Sequence, residues 1–250
     1  MHGLETLPKD SAIMILPNHQ NALLDALLIA AYSRRAPYFL TRSDVFTNTL
    51  VKGLFKLLRM LPIYRIRDGR DSLNKNHEIF DICTRLLNAR EAIVVFPEAN
   101  HNSKRMVRPL SKGFTRILFQ ALEKHPDLDI GLIPVGVNYV DLSGFPDSAA
   151  FFFGKHFQLK ELYNSGDLRT SSSAVRQRVS DEIKSLTTHI GPELRYDDVI
   201  AQLDRMQVNY LDPQHVNALI EDLPFDNLKE KDATSSLFLR TLWDVPFYIF

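Results

Sequence analysis

A single cysteine, Cys83, is all the thiol chemistry this chain of 250 residues can offer. One cysteine excludes an intramolecular disulfide and any multi-cysteine zinc site. A reducing, intracellular location is the simplest fit. Charge of one sign is lacking too: Lys+Arg number 30 against Asp+Glu 30, a formal charge of zero. A general nucleic-acid binder would show a basic excess, so that class drops out, although a local cationic pocket stays open. There is no signal peptide and no run of about 18 apolar residues that would span a bilayer. Internal repeats and low-complexity segments are also absent. The hydrophobic share of 45% is ample for a core, and the length suits one large domain or two small ones.

The apolar runs are short and alternate with helical patterns. Strands are expected over 12–17, 37–41, 62–66, 92–96, 130–139 and 149–153. Helices are expected over 22–33, 46–60, 71–89, 111–124, 174–189, 196–209 and 213–221. This alternation predicts an α/β fold, with a mixed, largely parallel sheet flanked by helices. After about residue 156 the strand signal fades. The expected division is therefore an α/β core over 1–156 and a helical C-terminal extension over 157–250, packed on the core. Both ends look cut: the chain starts beside a strand-like region, and residues 237–250 end on an apolar crescendo. We expect a fragment of a longer membrane-associated protein, stopping before a membrane segment.

The richest stretch is Pro17-Asn18-His19-Gln20-Asn21-Ala22-Leu23-Leu24-Asp25, where a predicted strand meets a predicted helix. Asn21 is the expected N-cap. Asp25 is the only charge in an otherwise apolar helix, and such a carboxylate is costly to bury unless paired. His19 is the nearest candidate. A neutral imidazole can take a proton from a substrate hydroxyl near neutral pH, and a carboxylate on its other nitrogen fixes the tautomer. No serine or cysteine in the stretch is an obvious nucleophile, so the substrate's own hydroxyl would attack. The bland alternative, a capping histidine and a packing aspartate, carries about even weight on spacing alone.

Further along, Tyr64-Arg65-Ile66-Arg67 places two arginines on alternate positions, hence on one face of a strand. Two guanidinium forks on one face suit a phosphate dianion. Glu98 follows the strand Ala92 to Phe96, at a carboxyl edge where α/β proteins often bind ligands. The loop after it is rich in donors, with Lys104, Arg105, Arg108 and Lys112; Lys104 and Arg105 are the favoured phosphate contacts. Ser111 is the expected cap of the next helix, and His101 a loop residue. Residues 45–61 form an amphipathic pattern with a cationic stripe of Lys52, Lys56 and Arg59, suited to an anionic membrane surface or to solvent. Phe151-Phe152-Phe153 could line an acyl groove, although a buried edge strand is the simpler reading.

Four blocks in order carry a resemblance. Asn18-His19 with Asp25, Pro62-Ile63-Tyr64-Arg65, Phe96-Pro97-Glu98-Ala99 and Leu132-Ile133-Pro134-Val135-Gly136-Val137 resemble the successive blocks of the glycerophospholipid acyltransferases, over roughly residues 3 to 190. The resemblance implies an acyltransferase with its site at the sheet edge. It implies His19 and Asp25 as catalytic residues, and Arg65 and Glu98 as substrate-binding residues; Arg67, Lys104 and Arg105 join them as substrate-binding candidates on their own chemistry. It implies a glycerol-3-phosphate or 1-acyl-glycerol-3-phosphate (lysophosphatidate) acceptor and an acyl thioester donor, on CoA or acyl-carrier protein. No cofactor or metal is needed for that chemistry. The implied setting is a membrane surface, on its cytoplasmic face. There are two departures. Five residues separate His19 from Asp25 where four are common, and Ala99 stands in place of the usual glycine. If that backbone has positive φ, alanine is strained there. A rival expectation is a lipid-phosphate binding domain of the same fold without turnover.

Overall fold

The computed structural model describes residues 1–33, 35–45, 53, 55, 58–64, 71–142 and 148–223. It shows a seven-stranded sheet in the order β3-β2-β4-β1-β5-β6, with β7 also paired to β5. The strands are β1 (Ala12–Pro17), β2 (Tyr38–Arg42), β3 (Met60–Ile63), β4 (Ala92–Val94), β5 (Ile130–Tyr139), β6 (Ala149–Phe153) and β7 (Phe157–Gln158). The β3-β2-β4-β1-β5 pairings are parallel, and β6 and β7 run antiparallel to β5. The helices are α1 (Ala22–Tyr32), α2 (Asp71–Asn88), α3 (Gly113–Lys124), α4 (Leu168–Leu186), α5 (Tyr196–Arg205) and α6 (Pro213–Glu221). The mixed, mostly parallel sheet with flanking helices is the architecture that the alternating pattern predicts.

The central strands explain the continuous apolar runs. All six residues of β1 and all ten of β5 are buried, as expected where helices cover both faces of a parallel sheet. Side chains alternate along a strand, so β1 feeds two cores. Met14 and Leu16 join Cys83, Leu87, Phe114, Ile117 and Leu118 under α2, α3 and α4. Ile13 and Ile15 join Ala26, Ile29, Val135 and Phe151 under α1. Burial in the first core pushes the Cys83 thiol up to about 12, which leaves it inert. α4 belongs to that core through Val175, Val179 and Ile183. A third, smaller cluster, including Ile190, Val199, Leu203, Val216 and Ile220, holds α5 and α6 together.

Several boundaries differ from expectation. α4 starts at Leu168, six residues early, because Asp167 accepts the Thr170 N–H at 3.0 Å and caps it. α3 starts at Gly113; its N-cap is Lys112, and neither Ser111 nor any other side chain caps it. β3 begins at Met60, so the chain has turned before it, with Arg59 at φ 53°. Arg59 therefore lies over the Tyr38 ring, 5.0 Å from its centroid, and donates to Ala36 O, instead of extending a helical stripe. Most of the expected helix over 46–60, with Lys52 and Lys56, lies outside the described residues. Phe151 and Phe153 are buried in β6, the edge strand. No described helix is long and apolar enough to cross a membrane.

Candidate active site

The parallel strands β1, β4 and β5 all end at one edge of the sheet, which draws together residues far apart in sequence. β1 delivers Asn18 and His19, the turn after β4 delivers Glu98, and β5 delivers Tyr139. Asn18 locks the first of these to β5. Its amide nitrogen donates to Val137 O at 3.0 Å, and its oxygen accepts the Val137 N–H at 2.6 Å. The backbone just before His19 is thereby fixed.

Asp25 is fully buried and sits at the centre of the cluster. Its Oδ2 meets His19 Nδ1 at 2.9 Å and accepts the Gln20 and Asn21 N–H groups at 3.0 and 2.9 Å. Its Oδ1 accepts the Tyr139 hydroxyl at 2.5 Å. Asn21 occupies the N-cap position but makes no side-chain cap; Asp25 satisfies the turn's amides instead. The five-residue spacing thus lets one carboxylate hold both the turn and the imidazole. Two of its partners, the Gln20 and Asn21 N–H groups, can only donate, and both meet Oδ2; that oxygen therefore accepts, and His19 carries its hydrogen on Nδ1. Nε2 keeps its lone pair, and no described residue hydrogen-bonds it. Burial, and then the neighbouring Asp25, raise the Tyr139 phenol, so the hydroxyl stays a donor.

The imidazole is clamped in orientation. It stacks on Phe96 with centroids 4.0 Å apart and meets His101 edge-on at 5.9 Å. The His19 carbonyl accepts the Asn102 N–H at 2.8 Å. Burial first, then His19, Arg108 and Arg42, hold His101 below its ordinary value.

Glu98 forms the other wall. Its Oε1 accepts the His19 N–H at 3.3 Å, and its Oε2 accepts Arg108 Nε at 3.0 Å and the Arg108 N–H at 3.3 Å. Arg108 also donates to the Asn100 carbonyl. Burial raises the Glu98 carboxyl, against the opposing pull of Arg108. Among the described residues Arg108 is the arginine that Glu98 holds; Arg65 and Arg67 lie outside them. Ala99 does adopt positive φ, at 66°, with its N–H bonded to Phe96 O.

The two expected phosphate contacts of the loop after Glu98 differ from each other in placement. Arg105 is buried, and its guanidinium donates to the Tyr139 and Val140 carbonyls at 2.9 and 2.8 Å while lying 3.5 Å from the Tyr210 ring centroid. It fastens the end of β5 to the helical region and presents no open fork. Lys104 is exposed, with its ammonium 4.9 Å from the Tyr196 ring centroid. Arg108 belonged to the donor-rich loop in sequence but was not singled out there; its pairing with Glu98 depends on the fold of the 97–112 loop. Tyr139 was missed because an aromatic residue ending an apolar strand looks like core. Its one available signal is topological: parallel β1 and β5 must end at the same edge. Among the described residues, no group of three His, Cys, Asp or Glu side chains could hold a metal ion.

Comparison with known proteins gives the family. The family model described as Acyltransferase matches residues 1–138. An uncharacterised acyltransferase of Schizosaccharomyces pombe is 28% identical over 99 residues, 38% of this chain and 15% of that protein. Glycerol-3-phosphate O-acyltransferase 1 of Saccharomyces cerevisiae is 27% identical over 100 residues, 38% of this chain and 13% of that protein. The matches thus span well under a fifth of these curated relatives. The crystal structure of the 1-acyl-sn-glycerophosphate acyltransferase of Thermotoga maritima superposes with a TM-score of 0.49 at 18% identity, covering 74% of this chain and 71% of that one.

Proposed function

Because the chain belongs to the acyltransferase family whose blocks its sequence carries, we propose that it moves a fatty acyl group from a thioester donor to a hydroxyl of a glycerol phosphate acceptor. The carrying observation is the 2.9 Å contact between His19 Nδ1 and Asp25 Oδ2, with Nε2 left open at the sheet edge. The acceptor hydroxyl attacks the thioester carbonyl while His19 Nε2 takes its proton. The new C–O bond forms, the C–S bond breaks, and the imidazolium returns the proton to the departing sulfur. Asp25 holds the imidazole and offsets its transient charge. No acyl-enzyme is needed, because one site holds both substrates.

Arg108 takes the acceptor phosphate, oriented by Glu98, with Arg65, Arg67 and Lys104 as further contacts. Arg105 supports the site as a brace for Tyr139. The acceptor is glycerol-3-phosphate or its 1-acyl derivative, and the donor is acyl-CoA or acyl-carrier protein. The reaction requires no cofactor or metal. Work at a membrane surface follows from the lipid nature of donor and product.

The test is thiol release from long-chain acyl-CoA with either acceptor, in wild type and His19→Ala. We expect release that depends on the acceptor and falls at least ~10²-fold in the variant. Turnover near wild type in His19→Ala would sink the mechanism. Acceptor binding without thiol release in the wild type would make the chain a binding domain.

A further inference from the structure

A second cationic feature lies away from His19. α2, α3 and the first turns of α4 enclose a groove of about 790 Å³, within the size range of small-molecule sites. Lys112, Arg116, Arg169 and Arg176 line it, against a single lining carboxylate, Glu123. None of the four cations makes an ion pair among the described residues. Most other charged groups on these helices do pair: Lys124 with Asp81, Arg178 with Glu182, Lys184 with Asp181. Arg176 is steadied by the Ser172 and Leu110 carbonyls at 3.2 and 3.4 Å. The exposed Lys112, Arg116 and Arg169 have no side-chain partner there.

Two further observations shape the ligand. The groove includes the start of α3, the helix whose first turn has no capping side chain, and open helix amides favour an anion. Phe80 and Phe119 add an apolar wall on which a flat ring can pack. Guanidinium forks and an open helix start suit phosphates, and the apolar wall suits a base.

We infer that this groove binds a phosphorylated nucleotide. That chemistry has two sources: the nucleotide end of a CoA thioester, or a free nucleotide acting on the enzyme. The first source rests on the proposed acyl transfer. It is favoured by position, since Lys112 directly follows Ser111, whose N–H bonds Pro97 O at 2.8 Å beside Glu98. The groove therefore starts at the last residue of the loop that walls His19.

The experiment is calorimetric titration of the full chain with CoA and with ADP, in wild type, Arg116→Glu/Arg169→Glu and His19→Ala. Both arginines are exposed, and a thermal melt checks that the double variant is folded. We expect the double variant to bind CoA at least about tenfold more weakly at low salt, and His19→Ala to bind it as wild type does. A milder Arg116→Gln/Arg169→Gln pair should lie between. The ratio of KM for palmitoyl-pantetheine to KM for palmitoyl-CoA then separates the sources. A ratio that falls about tenfold in the double variant identifies the donor's nucleotide end. Lost CoA and ADP binding with the ratio preserved identifies a free nucleotide. Equal CoA and ADP binding in wild type and double variant, or none in wild type, overturns the inference. Arginine-dependent binding in a chain without thiol release would remove the acyltransferase reading and leave this site standing.

Discussion

The two walls of the candidate active site are built differently. The His19 wall is made of regular structure: β1, the first turns of α1 and the end of β5. Its key carboxylate, Asp25, is wholly buried and has four hydrogen-bond partners. The Glu98 wall is a loop from Pro97 to Lys112, held by anchors scattered along the chain. Among them are Asn102 N–H to the His19 carbonyl, the Arg105 guanidinium to the Tyr139 and Val140 carbonyls, and Val107 N–H to His189 Nδ1 at 3.0 Å. Proton transfer tolerates little misplacement of the base, so a rigid wall suits it. A loop on a rigid frame is where binding residues concentrate, and its side chains can vary without disturbing the frame.

The largest effect should come from the rigid wall. Asp25→Asn removes the charge that offsets the His19 imidazolium and turns an amide NH₂ either on the Gln20 and Asn21 N–H groups or on the Tyr139 hydroxyl. We expect kcat to fall at least about 10²-fold and stability to drop by roughly 1–3 kcal/mol, read by thiol release and denaturant unfolding. A variant with normal kcat would show that the carboxylate only packs.

Arg108→Gln tests the loop wall. It removes one charge-assisted partner of Glu98 and the proposed phosphate contact. KM for the glycerol phosphate acceptor should rise about tenfold, the worth of one such bond, with a smaller change in kcat. A loss confined to kcat would move Arg108 from binding to catalysis.

The His189 anchor makes the loop wall sensitive to pH. Burial, then Lys184, lowers the His189 imidazole to about 4, so it accepts the Val107 N–H in its neutral form. The unfolded chain binds this proton more readily. The stabilisation is therefore complete above about 6.5 and is lost as pH falls from there towards about 4. After allowance for solvent screening the loss is about 1 kcal/mol. Urea unfolding between pH 7 and 4 should show a slope that His189→Gln reduces; an unaltered slope would acquit His189.

The smallest effect is at Ala99. An L-residue at φ 66° is strained, so Ala99→Gly should stabilise by about 0.5–1 kcal/mol, net of glycine's greater unfolded entropy. A destabilised variant would mean that the alanine methyl packs in a way that outweighs its backbone strain.

Legibility divides along the same line. β1 and β5 were readable to the residue, because strands buried on both faces are unbroken apolar runs. The His19–Asp25 pair was readable because a lone carboxylate in an apolar helix demands a partner, and the turn brings one near. The start of α4 was missed although Asp167 followed by Thr170 signals a cap. Arg105 shows the opposite failure. Its sequence neighbourhood advertises a phosphate ligand, while its side chain is turned to the carbonyls that end β5. A side chain's direction on an irregular loop follows from its anchors, which are distant in sequence.

The sequence by itself therefore determined the α/β architecture, the family and the His19–Asp25 pairing, because periodicity, turn chemistry and block order are local properties of a chain. Only the tertiary structure decided that Tyr139 completes the Asp25 shell, that Arg108 faces Glu98, and that Lys112 and three helix-borne arginines share a groove. Each of these joins separate segments through burial and hydrogen bonds, and the cost of leaving a buried polar group unpaired is settled only when the sheet edge and its helices come together.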